Sequence, residues 1–133
     1  MELILEELTG KVLRAYYNVF NKLGFGFLEK VYENAMCIEL EIAGISFKKQ
    51  CPIEVFYDDK KIGVYFADLL VEDKLIIELK AAESLCEEHE CQLINYLRAT
   101  NIEVGLLLNF GKKAQFKRKV FLNQNKKNPP KSA

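Results

Sequence analysis

Asp68, Glu78 and Lys80 interrupt two apolar runs that flank a short polar link, Glu72-Asp73-Lys74. Apolar runs of this length around a polar break predict a β-hairpin. Charged side chains are seldom buried unless they are paired or bind a metal, so three of them among Leu and Ile call for a chemical reason. Glu78 and Lys80 are two apart and share one strand face. The turn decides where Asp68 lies. A two-residue loop at Glu72-Asp73 pairs Asp68 with Ile77 and leaves its carboxylate on the far face. A three-residue loop pairs Val71 with Leu75 and Asp68 with Glu78, with Cβ atoms ~5 Å apart on one face. Such loops are common in hairpins, and an odd loop or a bulge is the expectation.

Two adjacent carboxylates repel each other without a cation. A hard divalent ion, Mg²⁺ or Mn²⁺, takes carboxylate, carbonyl and water oxygens and fits the pair. The Leu79 carbonyl is placed as a third ligand. Lys80 beside them is able to orient a water or to stabilise a developing negative charge. The competing reading of the same residues is a surface ion pair between Lys80 and a carboxylate on a wet strand face.

Asp68 followed by Glu78-Leu79-Lys80 has the form D-x(n)-E-x-K and resembles the PD-(D/E)XK nuclease superfamily. Gly26-Phe27-Leu28-Glu29-Lys30-Val31-Tyr32, continuing into Glu33-Asn34-Ala35-Met36-Cys37-Ile38-Glu39-Leu40, is similar to the signature of the GxxExxY family, a compact branch of that superfamily. Gln92-Leu93-Ile94-Asn95-Tyr96 has the form Q-x-x-x-Y, a pair that follows the E-x-K strand in several such nucleases. The resemblance covers about residues 8–122, with its motifs in the expected order.

It implies a single α/β domain with a restriction-endonuclease-like core, a central mixed sheet flanked by helices. It also implies metal-dependent hydrolysis of phosphodiester bonds in DNA. In related nucleases an acidic residue on an early helix faces the metal; Glu29 is the candidate here and Glu39 its rival. Gln92 and Tyr96 would support Lys80 and the substrate. The alternative is a non-catalytic nucleic-acid-binding or protein-interaction module that keeps the fold. A homodimer or a place in a larger assembly is compatible with so short a chain.

The elements that must position these residues are legible from periodicity. Leu5, Leu8, Val12, Ala15, Tyr16, Val19, Phe20 and Leu23 form one stripe of a helix from about Leu3 to Leu23, with Gly24 as its C-cap. A second helix from about Leu28 to Ala43 is expected to bury Leu28, Val31, Tyr32, Ala35, Ile38 and Ile42. Strands follow from Ile53 to Lys80 as a three-stranded meander. Pro52 marks an edge or an irregular start, and Asp58 to Lys61 is a turn. Ser84 and Glu87 suggest a capping box for a third helix reaching about Thr100. Leu85, Leu93 and Leu97 face the core, and His89 lies at a helix edge. Ile102–Phe110 reads as a strand covered on both faces, parallel to the Glu78 strand, and Gln115–Leu122 as the last strand. The order is α-α-β-β-β-α-β-β.

The 133 residues suffice for one domain, and half are hydrophobic. No apolar run approaches the roughly 20 residues of a membrane span, and the acidic start lacks a signal peptide's features, so a cytoplasmic protein is expected. Cys86, His89 and Cys91 have no standard zinc spacing and would not share one helix face. Cys37, Cys51, Cys86 and Cys91 read as reduced thiols. After Glu103 there is no acidic residue, and the basic ones include Lys112, Lys113, Lys117, Arg118 and Lys119. That asymmetry suggests contacts to the phosphates of a polyanion. From Lys126 onward a solvated basic tail is expected, so that residues 1–122 form the domain and 123–133 a disordered tail.

Overall fold

The structure, a computed structural model, describes residues 5–127. The elements are α1 (Glu6–Leu23), α2 (Glu29–Ile42), β1 (Phe47–Tyr57), β2 (Lys60–Val71), β3 (Leu75–Lys80), α3 (Glu87–Arg98), β4 (Val104–Phe110) and β5 (Ala114–Val120), closed by a short 3₁₀ turn at Asn123–Asn125. The strands form one mixed sheet in the order β1-β2-β3-β4-β5. β3 and β4 are parallel across the α3 crossover, and the other neighbours are antiparallel. α1 and α2 bury one face, against Leu69, Val71, Leu75, Ile77, Leu79, Val104, Leu106, Leu108 and Phe110. α3 covers the other face, with Leu93, Tyr96 and Leu97 against Ile53, Ala67, Ile76 and Leu107. This is the restriction-endonuclease-like arrangement. Both central strands, β3 and β4, are covered on both sides, which is why they are near-continuous apolar runs. Pro52 lies on β1, an edge strand. Among the described residues no helix is long and apolar enough to cross a membrane.

Three expectations are corrected. α2 buries Tyr32, Glu33, Met36, Cys37 and Leu40; Leu28, Ile38 and Ile42 are 80%, 59% and 75% exposed. Tyr32 is buried as expected, its ring stacked on Phe110 at 4.1 Å, but the buried face continues through Met36 and Leu40 and not through Leu28, Ile38 and Ile42. The α3 cap is Cys86 with His89: the Cys86 N–H donates to His89 Nδ1 at 3.2 Å, in place of a Ser84/Glu87 box. Lys126 is not part of a solvated tail. Its ammonium donates to the carbonyls of Thr100 and Ile102 at 2.7 and 2.9 Å, where α3 runs into β4. The expectations for residues 1–4 and 128–133 lie outside the described residues.

Two polar clamps fix the end of the sheet where β3 finishes. The Tyr16 hydroxyl donates to the Asn109 carbonyl at 2.5 Å and accepts from the Gln115 N–H at 2.9 Å. This ties α1 to the β4–β5 link, and burial pushes the phenol up to about 12. The buried Asn109 amide accepts from the Ala82 N–H and donates to the Ala82 carbonyl, at 2.9 and 3.0 Å, two residues past Lys80. Gly111 permits this closeness, since a Cβ there would lie 2.7 Å from the Ala82 carbonyl oxygen.

Gly111→Ala should therefore force backbone apart and cost about 1–3 kcal/mol. Gly10→Ala, inside α1 with nothing within 4 Å of the added Cβ, should stabilise by about 0.5–1 kcal/mol. Urea midpoints of the two variants should move in opposite directions, and equal shifts would refute the role given to Gly111.

Candidate active site

The β2–β3 link has three residues. Val71 pairs with Leu75, Leu70 with Ile76 and Leu69 with Ile77, while Glu72 and Asp73 adopt left-handed φ of 54° and 55°. The ladder then stops, and Asp68 and Glu78, next in register, are not a ladder pair. β2 parts from β3 here, and each carboxylate takes a backbone N–H that the parting leaves open. The Asp68 N–H donates to Glu78 Oε1 at 3.0 Å, and the Leu79 N–H donates to Asp68 Oδ2 at 2.8 Å. The two acids thus meet in the gap between strands.

Glu78, 4% exposed, has its carboxyl pushed up to about 8, first by burial and then by the Asp68 charge; the Asp68 N–H and Lys80 oppose this. Burial is also the main cause raising Asp68, against the bonds from Leu79 and Gln50. Lys80 shares the α3 side of β3 with Glu78 and donates to Gln92 Oε1 at 3.1 Å. The Gln92 amide in turn donates to the Tyr96 hydroxyl at 3.0 Å. Burial, then the Glu78 and Asp68 charges, push Tyr96 up to about 12, so its hydroxyl keeps its proton at neutral pH. The relay Lys80–Gln92–Tyr96 fixes the ammonium beside the carboxylates.

On the α2 side, Glu29, Lys30, Glu33, Gln50, Asp68 and Leu79 line a cavity of about 160 Å³. Glu29, the first residue of α2, is exposed at its rim. Glu33, 4% exposed, accepts from Lys30 at 2.9 Å and from the Gln50 amide at 2.7 Å. Gln50 also reaches Asp68 Oδ1 at 3.3 Å. It can do so because its φ of 48° breaks the β1–β2 ladder opposite Asp68. Glu33 and Gln50 were not among the expected site residues. Their one sequence signal is that Glu33 lies a turn after Glu29, between Tyr32 and Met36. Glu39 pairs with Lys22 at 3.3 Å, away from this cavity. Tyr32 explains the spacing of the glycine, glutamate and tyrosine. Its hydroxyl donates to the Gly24 carbonyl at 2.7 Å and accepts from the Phe27 N–H at 3.2 Å. It thereby holds the loop in which Gly26 turns at a φ of 110°, and Glu29 follows at the helix start.

The basic residues are more scattered. Lys112 and Lys113 are exposed in the β4–β5 link, and Lys117, Arg118 and Lys119 alternate along β5, an edge strand. Lys119 is paired with Glu90 of α3 at 2.5 Å.

Among the described residues no three His, Cys, Asp or Glu side chains cluster closely enough to hold an ion by themselves. The buried Glu78 and half-buried Asp68, both with raised affinity for protons, nevertheless suit a hard cation that keeps several waters, as Mg²⁺ does. Leu79 lines the α2-side cavity together with Asp68.

The family model described as the PD-(D/E)XK nuclease superfamily matches residues 6–119. The chain therefore belongs to the PD-(D/E)XK nuclease superfamily. The crystal structure of SSO0001 is similar in fold, with a TM-score of 0.55 at 18% identity, covering 89% of this chain. This chain spans 60% of that one. No curated protein matches significantly.

Glu78 dictates an inverted pH dependence. Its folded-state value, about 8, lies above its ordinary 4.5. Between those values the unfolded chain has lost a proton that the folded chain keeps, so stability falls as pH rises through the window. At 1.36 kcal/mol per pH unit, the loss from this residue is at most about 5 kcal/mol. Thermal melts in EDTA should show the decline from pH 5 to pH 8, flattened by Glu78→Gln. A wild-type profile as flat as the variant's would contradict the burial of a charge here.

Proposed function

We propose that the protein is a nuclease of the GxxExxY branch that hydrolyses phosphodiester bonds in DNA with the help of Mg²⁺ or Mn²⁺. The observation that carries this reading is the pair of acids that meet in the strand gap, Glu78 buried and Asp68 half-buried, beside an ammonium held by a glutamine. A structural ion pair needs only one carboxylate, and two are disfavoured unless a cation joins them.

Asp68 and Glu78 are the side chains that would hold the ion, with the Leu79 carbonyl as a third ligand. When bound, a divalent ion supplies Lewis acidity toward a phosphate oxygen and lowers the pKa of water. Lys80 stabilises the charge that builds up on the phosphate and orients the attacking water. Gln92 and Tyr96 set its direction. Glu29, at the rim of the α2 cavity, and Glu33 behind it add negative charge on the side away from Lys80. Lys112, Lys113, Lys117 and Arg118 are the proposed phosphate contacts, joined by Lys119 where Glu90 releases it. Such contacts make binding fall with salt. The proposed catalytic unit is a single domain over residues 1–122, braced by the Lys126 anchor.

Asp68→Ala and Glu78→Ala should each remove cleavage, and Lys80→Ala should slow it about 10²–10³-fold. Gln92→Leu, which removes the oxygen that orients Lys80, should cost about 10–100-fold. The measurement is Mg²⁺- or Mn²⁺-dependent cutting of labelled DNA by purified protein. A double Asp68→Ala/Glu78→Ala variant that cuts as fast as wild type would place the activity elsewhere.

A further inference from the structure

β1 and β2 are far longer than β3, with 11 and 12 residues against 6. Only Leu69, Leu70 and Val71 of β2 pair with β3. The rest of β1 and β2 continues as a two-stranded arm, turning at Asp58-Asp59, where both φ are positive. Between this arm, α3 and residues 121–127 lies a groove of about 850 Å³. Its volume is in the range of sites for small ligands.

The lining has a consistent chemistry. Tyr65 and Phe56 come from the arm, Tyr96 from α3 and Phe121 from the far wall. The register shift between Val55 and Phe56 turns both consecutive side chains toward the groove. Tyr65 and Tyr96 lie 5.7 Å apart with tilted rings, and Tyr65 is 52% exposed. Gln92, Asn95 and Asn125 offer amides. Arg98 and Lys127 outweigh Glu88 in charge, while Lys126 is spent on holding the wall. Aromatic faces bind bases, amides bond to base edges, and cations meet phosphates. A paired base hides its faces in the stack, so a groove that presents the exposed Tyr65 ring beside Tyr96 favours unpaired nucleotides.

We propose that this groove binds a single-stranded segment of nucleic acid next to the bond to be cut. It rests on the nuclease reading, because Gln92 and Tyr96 belong both to the groove and to the Lys80 relay. A strand lying against Tyr65 and Asn95 also meets Gln92, which holds Lys80. The enzyme would then act on single strands, frayed ends or flaps in preference to continuous duplex.

Cys91 is exposed and lines the groove, whereas Cys86 is exposed outside it. The test is alkylation of wild-type protein by iodoacetamide in EDTA, read by mass spectrometry after digestion at glutamate, which separates the two cysteines at Glu90. The probes are oligothymidylate, oligouridylate and a blunt DNA duplex of equal length. The expected result is protection of Cys91, not Cys86, by a single strand at lower concentration than by duplex, and Tyr65→Ala raises the half-protecting concentration about ten-fold. The two oligomers tell deoxyribose from ribose. The proposal is overturned if duplex protects as well as single strands, if no nucleic acid protects, or if a folded Tyr65→Ala protein is protected as well as wild type. Because no metal is present, a protein that cuts nothing can still pass, and a nuclease of duplex alone fails.

Discussion

Two carboxylates of like charge, set side by side where β2 leaves β3, with Glu78 buried and Asp68 half-buried, are the constraint around which the molecule is arranged. Such a pair is unfavourable by itself, and the raised affinity of Glu78 and Asp68 for protons expresses that cost. It persists because the surroundings leave little freedom to escape. Each acid accepts a backbone N–H that the parting strands would otherwise leave unpaired. Swinging either side chain out would exchange a charge problem for a buried, unsatisfied donor. A cation relieves the first cost without incurring the second.

The rest of the fold keeps that gap at a fixed width. Asn109 and Gly111 seize the chain at Ala82, just after Lys80. Tyr16 and Tyr32 stand on either side of Phe110 and lock α1 and α2 to the end of β4. α3 places Gln92 and Tyr96 one turn apart, so that a single helix face reaches Lys80. These contacts are polar or aromatic and therefore directional, which suits a site whose geometry must hold within a fraction of an ångström.

Much of this was legible in the sequence, for identifiable reasons. Strand pairing has a period of two, so the three-residue link at Glu72 to Lys74 determines which residues face each other, and the loop length could be counted. The Q-x-x-x-Y spacing could be read the same way, since helix geometry fixes it. What failed depended on tertiary choice. α2 has apolar residues on both sides of Tyr32, and no local pattern says that Met36 and Leu40 face the sheet with it in place of Leu28, Ile38 and Ile42; that rotation is what buries Glu33. Gln50 was invisible because its left-handed backbone conformation has no glycine or asparagine to announce it. Lys126 looked like a tail residue, because nothing near it in sequence reveals that the carbonyls of Thr100 and Ile102 lie within its reach.

The parting of the strands also links two features that seem separate. If β2 had stayed paired with β3 beyond Leu69, Asp68 would be an ordinary ladder residue and its N–H would be taken by the neighbouring strand. The ladder would then run on along β3, with Asp68 opposite Glu78 and Phe66 opposite Lys80. One divergence opens the gap for the acids and swings the arm out to face α3. The left-handed Gln50 interrupts the β1–β2 ladder opposite Asp68 and lets its amide reach both Asp68 and Glu33. The site and the groove beside it are consequences of one register decision, made at the point where β2 leaves β3 while β3 goes on pairing with β4.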